Sequence, residues 1–319
     1  LLSKIISNHS KIGIPFESHV YPRLYPWKKC YGNISINKNK ERIAEDIVNL
    51  EPVKKWKKLP DVREVVENIG GGSFHDAFGG FMEAWLHKIG KDRWGEKTPH
   101  NVFFGREISE GFPNSKFIHI VRDGRDVAIS WKKVRFGPEH FYSISNLWRD
   151  HVKKAENIKN KVSKDRFHEV KYEDILKSPK SSIRKICAFL DESFDSKMMN
   201  FYKESGSYPT DDRNERNLSR PLLRDNMNKW VSDISARNLR IVESVAGETL
   251  ERHGYELGYQ NASLSQREIW QMRFIECPVT RMFGVLKDVE GVREAVRSLP
   301  LYLRLALECY LGISCRACL

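Results

Sequence analysis

A short apolar segment that ends in a charged corner most constrains how this chain of 319 residues folds. Residues 116–121 read Lys-Phe-Ile-His-Ile-Val, a near-continuous apolar run of strand length, and the residues Arg-Asp-Gly-Arg follow at once. From Asp126 to Val134 the pattern indicates a helix. A buried strand that turns sharply into a helix is typical of α/β proteins, whose parallel strands are covered on both faces.

The same alternation of strands and helices recurs along the chain. Further strands are expected at 11–15, just before 94–99, and at 167–172. Further helices are expected at 73–88 (with Ser73 as its N-cap), 141–161, 178–190 and 235–253. We therefore expect an α/β fold with a mainly parallel sheet flanked by helices. Ligands of such sheets bind at the carboxyl ends of the strands, where Glu17, Lys97 and Arg122 lie.

The overall charge favours an anionic ligand. The chain has 54 Lys and Arg residues against 42 Asp and Glu residues, a formal net charge of +12. This balance suits a nucleotide, a nucleic acid, an acidic glycan or a membrane surface. No apolar run approaches the roughly 20 residues of a membrane span, so no transmembrane segment is expected. Cys315 and Cys318 are spaced like zinc ligands but have no second pair, so no metal is expected.

The corner after residue 121 has the residue types of a phosphate site. The guanidinium of Arg122 and the backbone N–H groups of a helix N-terminus both bind phosphate oxygens. Ser130, two helical turns further on, adds a hydroxyl. The alternative is that Arg122 and Asp126 pair only to stiffen the corner, and the corner alone does not decide between these interpretations.

Two other strand ends carry residues suited to group transfer. Lys97, in Glu-Lys-Thr-Pro, supplies a mobile positive charge for a developing negative oxygen. Glu17 follows the strand at 11–15 and is placed to act as a general base. Each has a simpler interpretation, as a solvated lysine and as a carboxylate that caps the next turn.

Taken together and in order, five segments resemble the nucleotide-dependent sulfotransferases. They are Pro15–Ser18, Glu96–Pro99, Phe112–Phe117, Arg122–Ser130 and Val170–Asp174. The resemblance runs from Leu1 to about Tyr259 and is greatest to the branch of tyrosylprotein sulfotransferases and their bacterial homologues. It implies a P-loop-NTPase-like sulfotransferase domain over 1–260, followed by a helical C-terminal extension over 261–319.

The resemblance also implies an activity. Such enzymes transfer a sulfuryl group from 3′-phosphoadenosine 5′-phosphosulfate (PAPS) to an acceptor hydroxyl or amine, without a metal. Glu17 matches the general base of the tyrosylprotein branch, and Lys97 matches the lysine that stabilises the sulfuryl group and the leaving oxygen. The positions that match nucleotide-binding residues are Arg122 and Ser130 (3′-phosphate), Tyr172, Lys229 and, in the loop that covers the nucleotide, Arg220.

One part of the family pattern is missing from this sequence. Members have a first strand and a Gly- and Thr-bearing loop that wraps the 5′-phosphosulfate, and residues 1–6 resemble the helix that follows this loop. We therefore expect an N-terminally truncated chain, less stable than its parent because a central strand is absent. The fragment itself is expected to be inactive, and the activity is that of the parent enzyme.

The acceptor is left open as a tyrosyl peptide, a glycan, a lipid or a small alcohol. His19, Trp27 and Trp85 are candidates to line an acceptor cleft, with core packing favoured for the two tryptophans. No nucleic acid partner is expected, and the sequence does not determine the oligomeric state. The expected location is the cytoplasm for a bacterial source and the Golgi lumen for a eukaryotic one.

Two alternatives concern other parts of the surface. The lysine run at 54–58 allows a non-catalytic basic α/β module that binds nucleotide, nucleic acid or acidic glycan. Residues 264–319 are expected to form two or three helices. Packing of these helices on the main body is favoured over a helix that binds a membrane surface or a partner.

Overall fold

The computed structural model describes residues 1–134, 139–203 and 219–311. It divides into two compact units. Unit 1 comprises the described residues of 1–115, 192–221 and 294–319, and unit 2 comprises those of 116–191 and 222–293. Cys315 and Cys318 lie outside the described residues, and the domain boundary at 260 stays a prediction. None of the helices described is long and apolar enough to cross a membrane.

Unit 1 is mainly helical, with one pair of short strands. Its elements are α1 (Leu2–Ser7), β1 (Ile12–Gly13), α2 (Val20–Leu24), α3 (Asn37–Val48), α4 (Val62–Asn68), α5 (Phe74–Ile89), β2 (Arg93–Trp94) and α6 (Gly105–Gly111). Short 3₁₀ helices lie at Tyr25–Tyr31, Val53–Lys55, Pro99–Phe104 and Ser196–Lys203. The core packs around α3 and α5, where Ile43, Ile47 and Phe81 are fully buried.

The central helix of this core, α5, begins and ends as its sequence predicts. The Ser73 hydroxyl accepts from the backbone N–H of Asp76, and the Asp76 carboxylate accepts from the backbone N–H of Ser73, which satisfies two free donors at the helix start. Gly90 closes the helix in the left-handed conformation (φ 67°), which glycine adopts without strain. The helix expected at 73–88 is thereby confirmed.

Unit 2 contains the longer strands and the strand-to-helix corner. Its elements are β3 (Phe117–Val121), α7 (Gly124–Trp131), α8 (Phe141–Lys159), β4 (Phe167–Lys171), α9 (Tyr172–Lys177), α10 (Pro179–Phe189), α11 (Trp230–Asp233), α12 (Ala236–Arg252), α13 (Gln266–Gln271) and α14 (Cys277–Lys287). A 3₁₀ turn lies at Lys164–Arg166 and a π turn at Met272–Glu276. The last helix, α15 (Val289–Leu311), belongs to unit 1 from Glu294 onward. Between residues 264 and 311, the described part of the tail is mainly helical, as expected.

The strands pair in parallel, as expected, but they do so as two separate sheets. β1 pairs with β2, with Ile12 opposite Arg93, and β3 pairs with β4 from Phe117 opposite Phe167 onward. Among the described residues each sheet has two strands, and the parallel pairing expected from the sequence is confirmed. Apolar patterning locates a strand but not its neighbours, because strand pairing is a tertiary contact. Ile120 of β3 is 38% exposed, so β3–β4 is not covered on both faces.

A row of histidines and glutamates joins β3, β4, α8 and the end of α12 in unit 2. Glu169 lies 3.0 Å from Nδ1 of His119 and 3.3 Å from Nδ1 of His253, whose Nε2 lies 3.1 Å from Glu156. Arg252 also pairs with Glu156. The hydrogen bond to Glu169 raises the pKa of His253 although burial lowers it, and hydrogen bonds to both histidines hold the pKa of Glu169 below its usual range.

This row predicts a pH-dependent contribution to stability. Because the folded-state pKa of His253 is raised, its protonated form stabilises the fold below pH 6.5, and this stabilisation is lost as pH rises through the folded pKa. We expect His253→Gln to lower the free energy of unfolding by about 1–3 kcal/mol on the acid side of neutrality and by less in alkali. Chemical denaturation across this pH range measures the difference.

His168 provides the control for this prediction. Burial lowers its pKa, so its removal should change the pH dependence of stability in the opposite direction. Equal losses for His253→Gln at acid and alkaline pH would show that the His253 charge does not contribute.

Candidate active site

In unit 1, a glutamate and a lysine meet beyond the ends of two parallel strands. Gly95 N–H donates to the carbonyl of Gly13 at 2.9 Å, so the segments that leave β1 and β2 start side by side. The carboxyl ends of parallel strands lie at the same edge of a sheet. Four residues after β1 and three after β2, the Glu17 carboxylate forms an ion pair with the Lys97 ammonium. The structure therefore brings the two predicted catalytic residues together.

Glu17 is held in its ionised form. Nε2 of His19 lies 3.1 Å from Oε2 of Glu17. Burial raises the pKa of Glu17, but the hydrogen bond to His19 and the charge of Lys97 outweigh it, and the pKa lies below its ordinary value of 4.5. The Lys97 side chain is 42% exposed and can reach a ligand without leaving a buried position. The pair supplies a carboxylate that can accept a proton and a cation that can stabilise an anion.

A second carboxylate, that of Glu96, fixes the two segments to each other. It accepts hydrogen bonds from the backbone N–H of Ser18 at 3.3 Å, from the Ser18 hydroxyl at 2.8 Å and from the Thr98 hydroxyl at 2.6 Å, and also from the side chain of Asn101. Burial raises the pKa of Glu96, although the bonds from Thr98 and Ser18 favour its charged form. The role of Glu96 was not predicted from the sequence. Its position next to Lys97 is the feature that could have identified it.

His19 adopts a backbone conformation that bulky side chains seldom take. Its φ of 54° lies in the left-handed region, and its N–H donates to the Thr98 hydroxyl at 3.2 Å. This turn starts α2 and directs the imidazole back to Glu17. The sequence proposed His19 only as a cleft-lining residue. Its contact with Glu17 makes it a positioning group for the carboxylate.

In unit 2, the predicted phosphate-binding residues gather around Arg122, at the end of β3. Nη1 of Arg122 donates to the Ser130 hydroxyl at 3.3 Å, and Nη2 donates to the carbonyl of Asn226 at 3.1 Å. The guanidinium lies 4.7 Å from the centre of the Tyr172 ring, and Tyr172 begins the helix that follows β4. Asn226 donates to the Tyr172 hydroxyl at 2.7 Å. Asn226 was not identified from the sequence.

Part of the Arg122 side chain has an unused donor. Among the residues described, its buried Nε has no hydrogen-bond partner. Nη2 lies 3.6 Å from the carboxylate of Asp126, so the pairing that the alternative interpretation expected is also present. A buried donor without an acceptor is unfavourable, and an anion at this point would satisfy it.

The corner itself is built on a buried charge network around Arg125. This guanidinium makes two hydrogen bonds to Asp123, at 3.0 and 2.7 Å, and one to Glu243 at 2.8 Å, and it stacks 3.6 Å from the centre of the Trp230 ring. At Gly124 the chain passes so close to Trp148 that a Cβ would lie 2.8 Å from the indole. Sequence reasoning treated Arg125 only as part of the corner, because its partner Glu243 lies far along the chain.

The remaining predicted residues are placed as follows. Lys229 precedes α11 and is half-buried, and the next residue, Trp230, donates its N–H to Asp126 at 3.0 Å. Arg220 is exposed, lies close after the undescribed residues 204–218 and belongs to unit 1, and its role in covering the nucleotide stays a prediction. Trp85 is 3% exposed in the core of unit 1, as favoured from the sequence.

Comparison with known proteins adds to this geometry. Residues 1–196, more than half of the chain, match the sequence model of the sulfotransferase family. The chain belongs to the sulfotransferase family. The resemblance expected from the sequence is confirmed, and the α/β fold class agrees with it. Among the residues described, no group of three or more His, Cys, Asp or Glu side chains is placed to hold a metal ion.

Proteins similar to this chain occur in animals and bacteria. Protein-tyrosine sulfotransferase A of Caenorhabditis elegans is 26% identical over 227 residues, 67% of this chain and 59% of the relative. The omega-hydroxy-beta-dihydromenaquinone-9 sulfotransferase Stf3 of Mycobacterium tuberculosis is 23% identical over 176 residues, 50% of this chain and 40% of the relative. The chain thus spans about half the length of these two relatives.

The fold has a counterpart among solved structures. The sulfotransferase domain from the curacin biosynthetic pathway superposes with a TM-score of 0.54 at 17% sequence identity, covering 80% of this chain and 93% of that domain. At this level of sequence identity, the similarity shows a shared fold and does not identify the acceptor of this chain.

The Arg125 network predicts a large loss of stability when its cation is removed. Arg125→Met leaves the carboxylates of Asp123 and Glu243 buried without their partner, and we expect the free energy of unfolding to fall by about 3–5 kcal/mol. Arg125→Lys should lose less, because it keeps the charge but not the forked geometry. Arg106→Met is the control, since the Arg106–Glu110 pair is exposed. A loss in Arg125→Met no larger than in this control would contradict the prediction.

Proposed function

We propose that this sulfotransferase transfers a sulfuryl group from PAPS to an acceptor hydroxyl. The observation that carries the proposal is the cluster of Arg122, Ser130 and Tyr172 at the ends of β3 and β4, with an unused buried donor on Arg122. The matching residues of the family hold the 3′-phosphate of the donor. Family membership and the basic charge of the chain support the same proposal.

The chemistry of the cluster fits a phosphate. Arg122 offers donors in a planar fork, and the Ser130 hydroxyl, which accepts from Arg122, retains a hydrogen to donate. Arg122 lies just before the N-terminus of α7, whose first backbone N–H groups add positive partial charge. Tyr172 stacks on Arg122 and orients its guanidinium. Together these groups favour an anion at the end of β3.

Glu17 and Lys97 are proposed to carry out the transfer. The Glu17 carboxylate accepts the proton of the acceptor hydroxyl, and the Lys97 ammonium stabilises negative charge on the sulfuryl group and the leaving oxygen. PAPS supplies the activated sulfuryl group when it is bound. His19 orients Glu17, and Glu96 holds the segments that carry both catalytic residues.

A hydroxyl is the proposed acceptor class. The name of the worm relative specifies a protein tyrosine, a phenol, and the name of the mycobacterial relative specifies an omega-hydroxy compound. A base as weak as Glu17, whose pKa lies below 4.5, suits a reaction in which the proton leaves late, as sulfuryl transfer proceeds.

One prediction of the proposed function concerns binding of the 3′-phosphate. Arg122→Ala should weaken binding of 3′,5′-ADP by about 10- to 100-fold, because a charge-assisted hydrogen-bonding group is lost. Binding of 5′-AMP, which lacks the 3′-phosphate, should change little. Titration calorimetry in EDTA measures both, and it also separates this protein from a magnesium-dependent kinase. Arg184→Ala removes an equal charge from the exposed face of α10 and is the matched control. Equal losses of affinity for the two nucleotides would show that Arg122 does not bind the 3′-phosphate.

Another prediction of the proposed function concerns Glu17 as the general base. When the chain is preceded by the family's first strand and donor loop, Glu17→Gln should keep 3′,5′-ADP affinity but lower turnover by about 10²- to 10⁴-fold, because the amide cannot accept the proton. Since the pKa of Glu17 is lowered, the acid limb of the wild-type pH–rate profile should fall below pH 4.5. Turnover is measured with a tyrosyl peptide and with a lipid alcohol. Full activity of Glu17→Gln with the productive acceptor would exclude the base assignment.

A further inference from the structure

Helix α15 attaches to unit 1 through one face only. Leu305 is fully buried and Leu301 packs against the same core. Each of the four charged side chains between 294 and 308 pairs with a residue of unit 1, in the pairs Glu294–Arg23, Arg297–Glu51, Arg304–Asp46 and Glu308–Arg42. The packing of the tail on the main body, favoured from the sequence, is therefore present for this helix.

The opposite face of α15 is apolar and exposed. Val296 is 63% exposed, Leu299 52%, Leu303 55% and Leu307 59%. Their spacing of three, four and four residues places them on one side of the helix over three turns. We call these four residues the outer stripe. A contiguous apolar stripe of this kind marks a surface that another apolar phase covers.

Exposed lysines border the same helix. Nζ of Lys55 lies 4.0 Å from the carboxylate of Glu294, at the point where α15 joins unit 1. Lys55 belongs to the basic run 54–58, whose four lysines are exposed. A second exposed pair, Lys28 and Lys29, directly precedes Cys30, whose Sγ lies 3.6 Å from the carbonyl oxygen of Leu305. One basic side chain therefore contacts the helix near its start, and a second basic pair directly precedes a residue that contacts its later turns.

We propose that α15 and these lysines form a docking surface for an anionic lipid bilayer, with the outer stripe inserted between the headgroups. An apolar helix face bordered by lysines is the arrangement of helices that lie in a membrane interface. A helix partner would need flanking charges to set its register, and the charged residues of α15 from 294 to 308 are already paired with unit 1. A lipid surface requires no register. The proposal does not depend on the proposed enzymatic function.

Vesicle co-sedimentation of the whole chain tests the proposal. Binding is expected to vesicles of phosphatidylcholine with phosphatidylserine, to be weaker with phosphatidylcholine alone, and to fall as salt is raised. The double variant Leu299→Asp/Leu303→Asp should reduce partitioning by about 100-fold or more, because two inserted leucines are lost. Lys54→Gln/Lys55→Gln should reduce it by about 30-fold on the anionic vesicles.

Matched controls separate this surface from general effects. Val231→Asp places one such charge at another highly exposed apolar side chain, and Lys153→Gln/Lys154→Gln removes the same two positive charges from α8. Both should bind vesicles like the wild type. Circular dichroism confirms that each variant is folded. Vesicle binding that survives Leu299→Asp/Leu303→Asp would overturn the proposal. So would absence of vesicle binding together with a dimer that this variant dissociates, which would assign the stripe to a second copy of the chain.

Discussion

Parallel pairing between distant segments is the constraint on which both candidate sites depend. β1 and β2 are about 80 residues apart in the chain, and β3 and β4 are about 50 apart, yet each pair shares its carboxyl-terminal edge. Because the chain leaves both strands of a pair at the same edge, the residues just beyond them come together. Glu17 meets Lys97 in this way, and Arg122 meets Tyr172. The short strands contribute geometry more than stability.

Buried charges that do not face a ligand hold these edges in place. Glu96 ties the segment that contains Glu17 to the segment that contains Lys97 by accepting several hydrogen bonds at once. Arg125 does the same for the corner after β3 by binding Asp123 and Glu243. In each unit, these contacts are made by a residue close in sequence to the functional one: Glu96 beside Lys97, and Arg125 three residues after Arg122. The functional charge is then presented on a rigid support.

The positive charge of the chain serves more than one surface. Arg122 lies at a strand end in unit 2 and Lys97 lies beyond a strand end in unit 1, whereas Lys55 of the run 54–58 pairs with Glu294 near the start of α15. From the sequence, that run suggested a nucleic acid or glycan site. Its position beside a stripe of three exposed leucines and one valine favours an anionic lipid surface. The number of basic residues therefore does not identify a ligand. The surroundings of each lysine or arginine in the structure indicate which ligand it would bind.

The sequence by itself determined the family, the strand-to-helix corner, the cap of α5 and the residue types at the strand ends, because these depend on local patterns and ordered motifs. Only the tertiary structure decided which strands pair, that the described sheets are two, and that Glu96, Asn226 and Glu243 support the sites. It also decided which face of α15 is buried. These contacts join segments far apart in the chain, and no local pattern specifies which distant partner a charge or an apolar face will meet.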